Sequence, residues 1–183
     1  MKGCFPLSSF NSLRTPFYYY DLDVLRSTLD LLRKEADRNE MEVHYAVKAN
    51  ANPRILDIIR AYGFGADCVS GGELQAAFEA GFPASGLVFA GVGKADWEID
   101  LGLEGNIFCF NVESVPELEV IDQRAGAMGK KAGVALRINP NVQADTHHYI
   151  TTGVNDSKFG ISLQSLDEVL DICLKLQHIE LIG

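Results

Sequence analysis

Hydrophobic positions along the chain change period in a regular alternation. After Pro16 the run FYYYD, residues 17–21, reads as a short aromatic strand. From Leu22 the apolar residues Leu22, Leu25, Leu29, Leu32 and Ala36 step by three and four, which predicts a helix with one buried stripe ending near Arg38. VHYAVKA, residues 43–49, then alternates with period two, as a strand does. Pro53 suits a helix start, and Ile55, Ile58, Ile59 and Tyr62 form that helix's apolar face. GADCVS is strand-like, GGELQAAFEAG is a helix closed by Gly81, GLVFAG is a strand, KADWEIDLGL a helix and IFCFN a strand. SVPELEVIDQRAGAMG opens with Ser114 and Glu117 at capping-box spacing. GVALRINP is a strand cut by Pro140, and a polar segment, NVQADTHHYITTGVNDSKFG, follows it. Ser165 and Glu168 repeat the capping-box spacing ahead of Val169, Leu170, Cys173 and Leu176, and IELIG is the last strand.

Strict alternation of strands and helices, with strands that are near-continuous apolar runs, implies a parallel sheet covered by helices. The choice lies between an open doubly wound sheet and a closed barrel. No G-x-G-x-x-G follows the first strand, which weakens the dinucleotide-binding form of the open sheet. Counting from Val43, six strands precede the end of the sequence at Gly183, whereas eight units need roughly 250 residues. The expectation is a (β/α)8 TIM-type barrel truncated after about the sixth strand. Residues 1–21 would form a lead-in strand and residues 22–183 the partial barrel. VHYAV and IELIG would be the two edges facing the gap.

In parallel α/β folds chemistry gathers where strands end. Lys48 ends the first strand, Asp67 lies in the second, Asn111 follows the fourth, and Arg137 and Asn139 end the fifth. Any one of these is readily a solvated or structural residue. Together they bring Lys, Asp and Arg to one rim. Lysine stands out among them. Its free pKa is about 10.4, and burial lowers it by disfavouring the charged form. A depressed lysine attacks carbonyl carbons and forms Schiff bases. A strand that delivers an amine to the barrel mouth lets it become a neutral imine and shed its desolvation cost. GVGK, residues 91–94, is not a phosphate loop: the motif's first glycine would fall at Val88, and Ala95 follows the lysine. In THHY, residues 146–149, the two histidines lack further ligands at metal spacing, so no metal site is expected. His147 is a substrate-loop candidate, with a structural role as the alternative.

Composition narrows the partners. Of 183 residues 47% are apolar and 22% charged, ordinary globular usage that disfavours disorder. The formal charge of −9, with no basic block, argues against nucleic acid or an anionic membrane and for a small molecule or another protein. No apolar run approaches the roughly 20 residues of a membrane span, and no signal-peptide core is present. Cys4, Cys68, Cys109 and Cys173 form no C-x-x-C pair and read as reduced, buried thiols of a cytoplasmic protein.

YAVKAN together with TPFYYYD resembles the alanine-racemase-like enzymes that use pyridoxal 5'-phosphate, in their decarboxylase branch. ADCVSGGELQAA, LRINPNV and THHYITTGVNDSKFGI bring the resemblance to the diaminopimelate decarboxylase family of lysine biosynthesis. It runs through essentially the whole chain, in the family's motif order. The resemblance implies that Lys48 is the catalytic lysine that binds the cofactor aldehyde. It also implies that Asp67 lies near that lysine and the ring, that Arg137 lies beside the ring and its hydroxyl, and that His147 falls in a loop the family shares. The implied reaction is decarboxylation of meso-2,6-diaminopimelate, a small amino-acid substrate, in a cytoplasmic homodimer. In the family the phosphate-binding loops, the partner of the pyridine nitrogen and an all-β domain come after the last strand present here. The expectation is therefore an N-terminal fragment, inactive by itself. Alternatives left open are an ornithine, arginine or carboxynorspermidine decarboxylase, a racemase, and a single-barrel protein that carries pyridoxal phosphate without catalysis.

Overall fold

The computed structural model describes residues 3, 5–140 and 159–183. In chain order the helices are α1 (Leu7–Phe10), α2 (Leu22–Arg38), α3 (Pro53–Ala61), α4 (Gly71–Glu79), α5 (Asp96–Glu104), α6 (Val115–Ala127) and α7 (Leu166–Cys173). The strands are β1 (His44–Ala46), β2 (Gly65–Cys68), β3 (Leu87–Phe89), β4 (Cys109–Val112), β5 (Ala132–Leu136), β6 (Ile138–Asn139), β7 (Ile161–Ser162) and β8 (Ile179–Leu181).

Six strands form one parallel sheet in the order β1-β2-β3-β4-β5-β8, each beside its predecessor, with β1 and β8 at the two edges. A doubly wound sheet reverses its strand order at a switch point, and this one does not; sequential winding is that of a barrel wall. The register explains the two faces. Ala46 pairs with Asp67, Asp67 with Val88 and Val88 with Cys109, so these side chains share one face. The alternate residues Ala66, Cys68, Leu87, Phe89, Phe110, Val112 and Val134 are buried on the other face, in one core with helix residues. There α3 contributes Ile55, Leu56 and Ile59, α4 Leu74 and Ala77, and α6 Leu118, Ile121 and Ala125. Each such large aliphatic side chain stabilises the fold by about 1.5–3 kcal/mol when fully buried. The concave face, with no helix over it among the described residues, keeps Asp67, Val88, Asn111 and Ala135 partly exposed.

Four local expectations are corrected. Residues 17–21 form no strand; Phe17 and Tyr19 instead pack their rings on Phe10 of α1, and Tyr19 also on Phe5. An aromatic run supplies packing surface but not a neighbouring sheet edge, and among the described residues none is offered there. The first strand is shorter than VHYAVKA, because Val47–Ala49 turns into a 3-10 helix. GVALRINP divides at Arg137: β6 leaves the main sheet and pairs with β7 in a separate two-stranded ribbon. Gly160, at φ +91, allows that departure, since a Cβ there would stand 2.7 Å from the Arg137 carbonyl oxygen. Finally, the Ser165 side chain does not cap α7; Ser162 Oγ accepts from the Ser165 N–H one turn earlier, starting a 3-10 turn in its place.

Candidate active site

Lys48 is presented by a tightly specified turn. Val47 is fully buried and anchors the end of β1. The Asn50 N–H donates to the Val47 carbonyl, closing the 3-10 turn that holds Lys48. Asn50 Oδ1 accepts from the Asn52 N–H, and Asn52 Oδ1 accepts from the Arg54 N–H as the N-cap of α3, with Pro53 in its first turn. The Tyr45 hydroxyl donates to the Asn50 carbonyl. The ANANP stretch is thus a turn and a cap, and it leaves the Lys48 side chain exposed. Among the described residues Lys48 has no hydrogen bond or ion pair. The burial expected for this lysine is therefore not found: a position past the strand end, on the uncovered face, meets solvent.

Asp67, the third residue of β2, pairs in register with Ala46 of β1. Its Oδ1 is buried with no hydrogen-bond partner among the described residues. Burial raises its carboxyl above the usual carboxylate range, against the opposing fields of Lys48, His44 and Arg137. Lys48 and Arg137, which the sequence places on the same rim, are near enough to Asp67 to oppose that rise. The turn after β2 is held by Glu73, whose Oε2 accepts from the Val69 N–H, and by Ser70 capping α4. Asp67 and Asn111 also line an open cavity of about 330 Å³ on the concave face, with His44, Val88, Cys109, Ala135 and Ile182. That size is at the lower end of small-molecule sites.

Arg137 follows β5 at the point where β6 diverges. Its Nη1 donates to Glu113 Oε1 at 2.9 Å, and its guanidinium lies 5.5 Å from the centre of the Phe159 ring. Glu113, at the end of β4, is buried. Behind it stands a second lysine with the opposite fate. The Lys94 side chain is only 1% exposed, and its Nζ donates to the carbonyls of Gly91 and Asn111 and to Glu117 Oε1. Ser114 caps α6, accepting from the Glu117 N–H. The Glu117 carboxylate bypasses Ser114 and accepts from the Glu113 N–H, so only half of the expected capping box forms. GVGK is accordingly a strand-to-helix turn tied down by its lysine.

His44 and Glu113 were not foreseen as site residues. Signals for both were present: His44 shares strand parity with Lys48, and Glu113 ends an apolar run as Lys48 does. Asn139 lies on β6, off the main sheet. His147 and most of its loop lie outside the described residues.

Similar proteins point the same way. A diaminopimelate decarboxylase of Bacteroides thetaiotaomicron is 61% identical over all of this chain, which spans 48% of that relative's length. One of Aquifex aeolicus is 41% identical over 92% of the chain and 40% of its own length. The crystal structure of diaminopimelate decarboxylase from Helicobacter pylori complexed with L-lysine matches with a TM-score of 0.86 at 41% identity, over 96% of this chain and 45% of that one. The corresponding enzyme from M. jannaschi matches with a TM-score of 0.83 at 35% identity, over 97% and 43%. The chain thus spans under half the length of these relatives. Residues 22–183, which hold the whole six-stranded wall and the Lys48–Asp67–Arg137 rim, match the pyridoxal-binding domain of the pyridoxal-dependent decarboxylases, and the chain belongs to that family.

Proposed function

We propose that this chain supplies the cofactor-binding barrel of a pyridoxal 5'-phosphate-dependent decarboxylase that converts meso-2,6-diaminopimelate to L-lysine and carbon dioxide, in the cytoplasm and as a homodimer. One observation carries the reading. An exposed amine with no partner among the described residues, Lys48, stands at the C-terminal edge of β1 beside a half-buried carboxylate with an unsatisfied oxygen, Asp67. The substrate follows the names of relatives 61% and 41% identical to the chain.

The residues fit the cofactor. Lys48 would hold its aldehyde carbon through Nζ, Asp67 would offer Oδ1 as a hydrogen-bond acceptor or a proton holder, and Arg137 would lie against the ring edge. When bound, the cofactor's conjugated ring takes up the charge left on the reacting carbon as carbon dioxide departs. Lys48 Nζ would hold and return a proton at the strand-end rim. Asp67, with Lys48, His44 and Arg137 about it, sets the charge felt by that proton. No helix among the described residues is long and apolar enough to cross a membrane.

Borohydride reduction of the cofactor-loaded protein, followed by peptide mapping, is expected to place pyridoxyl on Lys48. Lys94, buried and triply engaged, is the internal control; label there instead of on Lys48 overturns the assignment. In the full-length decarboxylase of which this chain is proposed to be the barrel, a substrate panel is expected to release carbon dioxide from meso-2,6-diaminopimelate and little from L-ornithine or L-lysine. Faster release from ornithine overturns the substrate.

A further inference from the structure

The Arg137–Glu113 pair is lopsided. The Arg137 side chain is 49% exposed and reaches the rim, while that of Glu113 is 4% exposed and fixed from behind. Glu113 Oε1 accepts from Arg137 Nη1, and Oε2 is buried with no partner among the described residues. A carboxylate held out of water with one oxygen unsatisfied is costly, and such a pair is weak evidence of a stabilising role.

The surroundings instead fix the carboxylate in place. The Glu113 N–H donates to Glu117 Oε2 at 3.0 Å, and Glu117 Oε1 accepts from the buried Lys94. Lys94 also grips the carbonyls of Gly91, in the β3–α5 turn, and Asn111, in β4. The β3–α5 turn, β4 and α6 are thereby tied to one point, and the residue that leaves that point toward the rim is Glu113. Its partner Arg137 sits where the chain turns from β5 into β6. The Arg137 N–H donates to the Val112 carbonyl, and its own carbonyl accepts from the Ile161 N–H. The backbone of Arg137 is therefore set by β4 and β7, and its head by Glu113 and the Phe159 ring. A long, half-exposed arginine otherwise samples many rotamers, and one fixed, charge-assisted hydrogen bond reduces that freedom where a planar ligand is to be met.

We propose that Glu113 is a positioning residue, which through its buried carboxylate holds the Arg137 guanidinium at the cofactor ring. The inference rests on the proposed function. The test compares the cofactor-loaded protein with Glu113→Gln, Arg137→Lys and the double variant, measuring the pyridoxal phosphate dissociation constant by absorbance titration and the melting of the cofactor-free form. Glu113→Gln is expected to weaken cofactor binding about 10- to 100-fold, the scale of one hydrogen bond to a charged group. Melting of the cofactor-free form is expected to stay at the wild-type value, because the substitution also relieves a buried charge. The double variant is expected to bind no worse than Arg137→Lys alone, since Glu113 acts through that arginine. Wild-type affinity in Glu113→Gln overturns the proposal and leaves the decarboxylase reading standing. Additive losses in the double variant, or lower melting with unchanged affinity, also overturn it by assigning Glu113 a structural role. All variants are made in the full-length decarboxylase, and failure of its wild-type form to bind pyridoxal phosphate overturns both readings.

Discussion

Two lysines, Lys48 and Lys94, both follow the ends of apolar strands, and replacing each should have opposite consequences for folding. Lys94→Met keeps the aliphatic length but removes the charge. It strips partners from Glu117 Oε1 and from the carbonyls of Gly91 and Asn111, at 2.5, 2.9 and 2.8 Å, and the cation that stands 5.4 Å from the centre of the Phe89 ring. Breaking a buried pair from one side costs about 3–5 kcal/mol, because a desolvated charge is left without its counter-charge. Glu117 keeps the Glu113 N–H, which argues for the lower end. Even that is a large part of the roughly 5–15 kcal/mol by which domains are stable. Lys48→Ala removes an exposed side chain with no partner among the described residues and should stay within about 0.5 kcal/mol of wild type. Urea unfolding of the cofactor-free protein, followed by far-UV circular dichroism, measures both. The double variant Lys94→Met/Glu117→Gln should recover part of the loss by removing the stranded charge. Two results refute the reasoning: Lys94→Met as stable as wild type, or Lys48→Ala as costly as Lys94→Met.

Three further outcomes follow from other parts of the wall. Burial raises the Asp67 carboxyl, so the folded cofactor-free protein holds that proton more tightly than the unfolded chain; its stability should fall as pH rises from the unfolded carboxylate value to the raised folded one. Asp67→Asn should remove that fall, and a difference from wild type that is constant across the acid range refutes it. Burial pushes the Cys68 thiol up to about 12 and the Cys109 thiol up to about 11, so iodoacetamide at neutral pH should modify neither until the protein unfolds, as read by mass spectrometry. In Gly65→Ala the new Cβ would lie 2.4 Å from the Gly86 carbonyl oxygen and 2.4 Å from the His44 ring, so thermal melting should report a loss of about 1–3 kcal/mol; an unchanged melt refutes it.

Much of the wall was legible from pattern. The apolar runs at β2, β3, β4 and β8 and the stripes of α2 and α3 depend on local periodicity, which survives any tertiary arrangement. Gly81 ends α4 at φ +79, a backbone conformation that glycine adopts without strain. The aromatic run at residues 17–20 failed for a complementary reason: β propensity describes side chains, while a strand also needs a neighbour for its backbone. Ser165 failed as a cap because Ser162, equally suited, lies a turn earlier.

The sequence by itself determined that strands and helices alternate and that the sheet is parallel, and it placed Lys48, Asp67 and Arg137 at or near strand ends. Only the tertiary structure decided which lysine is free and which is buried. Lys48 and Lys94 look alike in one dimension. Their difference comes from the acceptors of Gly91, Asn111 and Glu117, which converge on one amine from a turn, a strand and a helix and leave the other alone. Likewise, only the fold paired Glu113 with Arg137, 24 residues apart, because β4 and β5 are neighbours in register. Local periodicity fixes which face a side chain takes, but hydrogen bonds between distant residues depend on how strands pack, and no short window of sequence contains that.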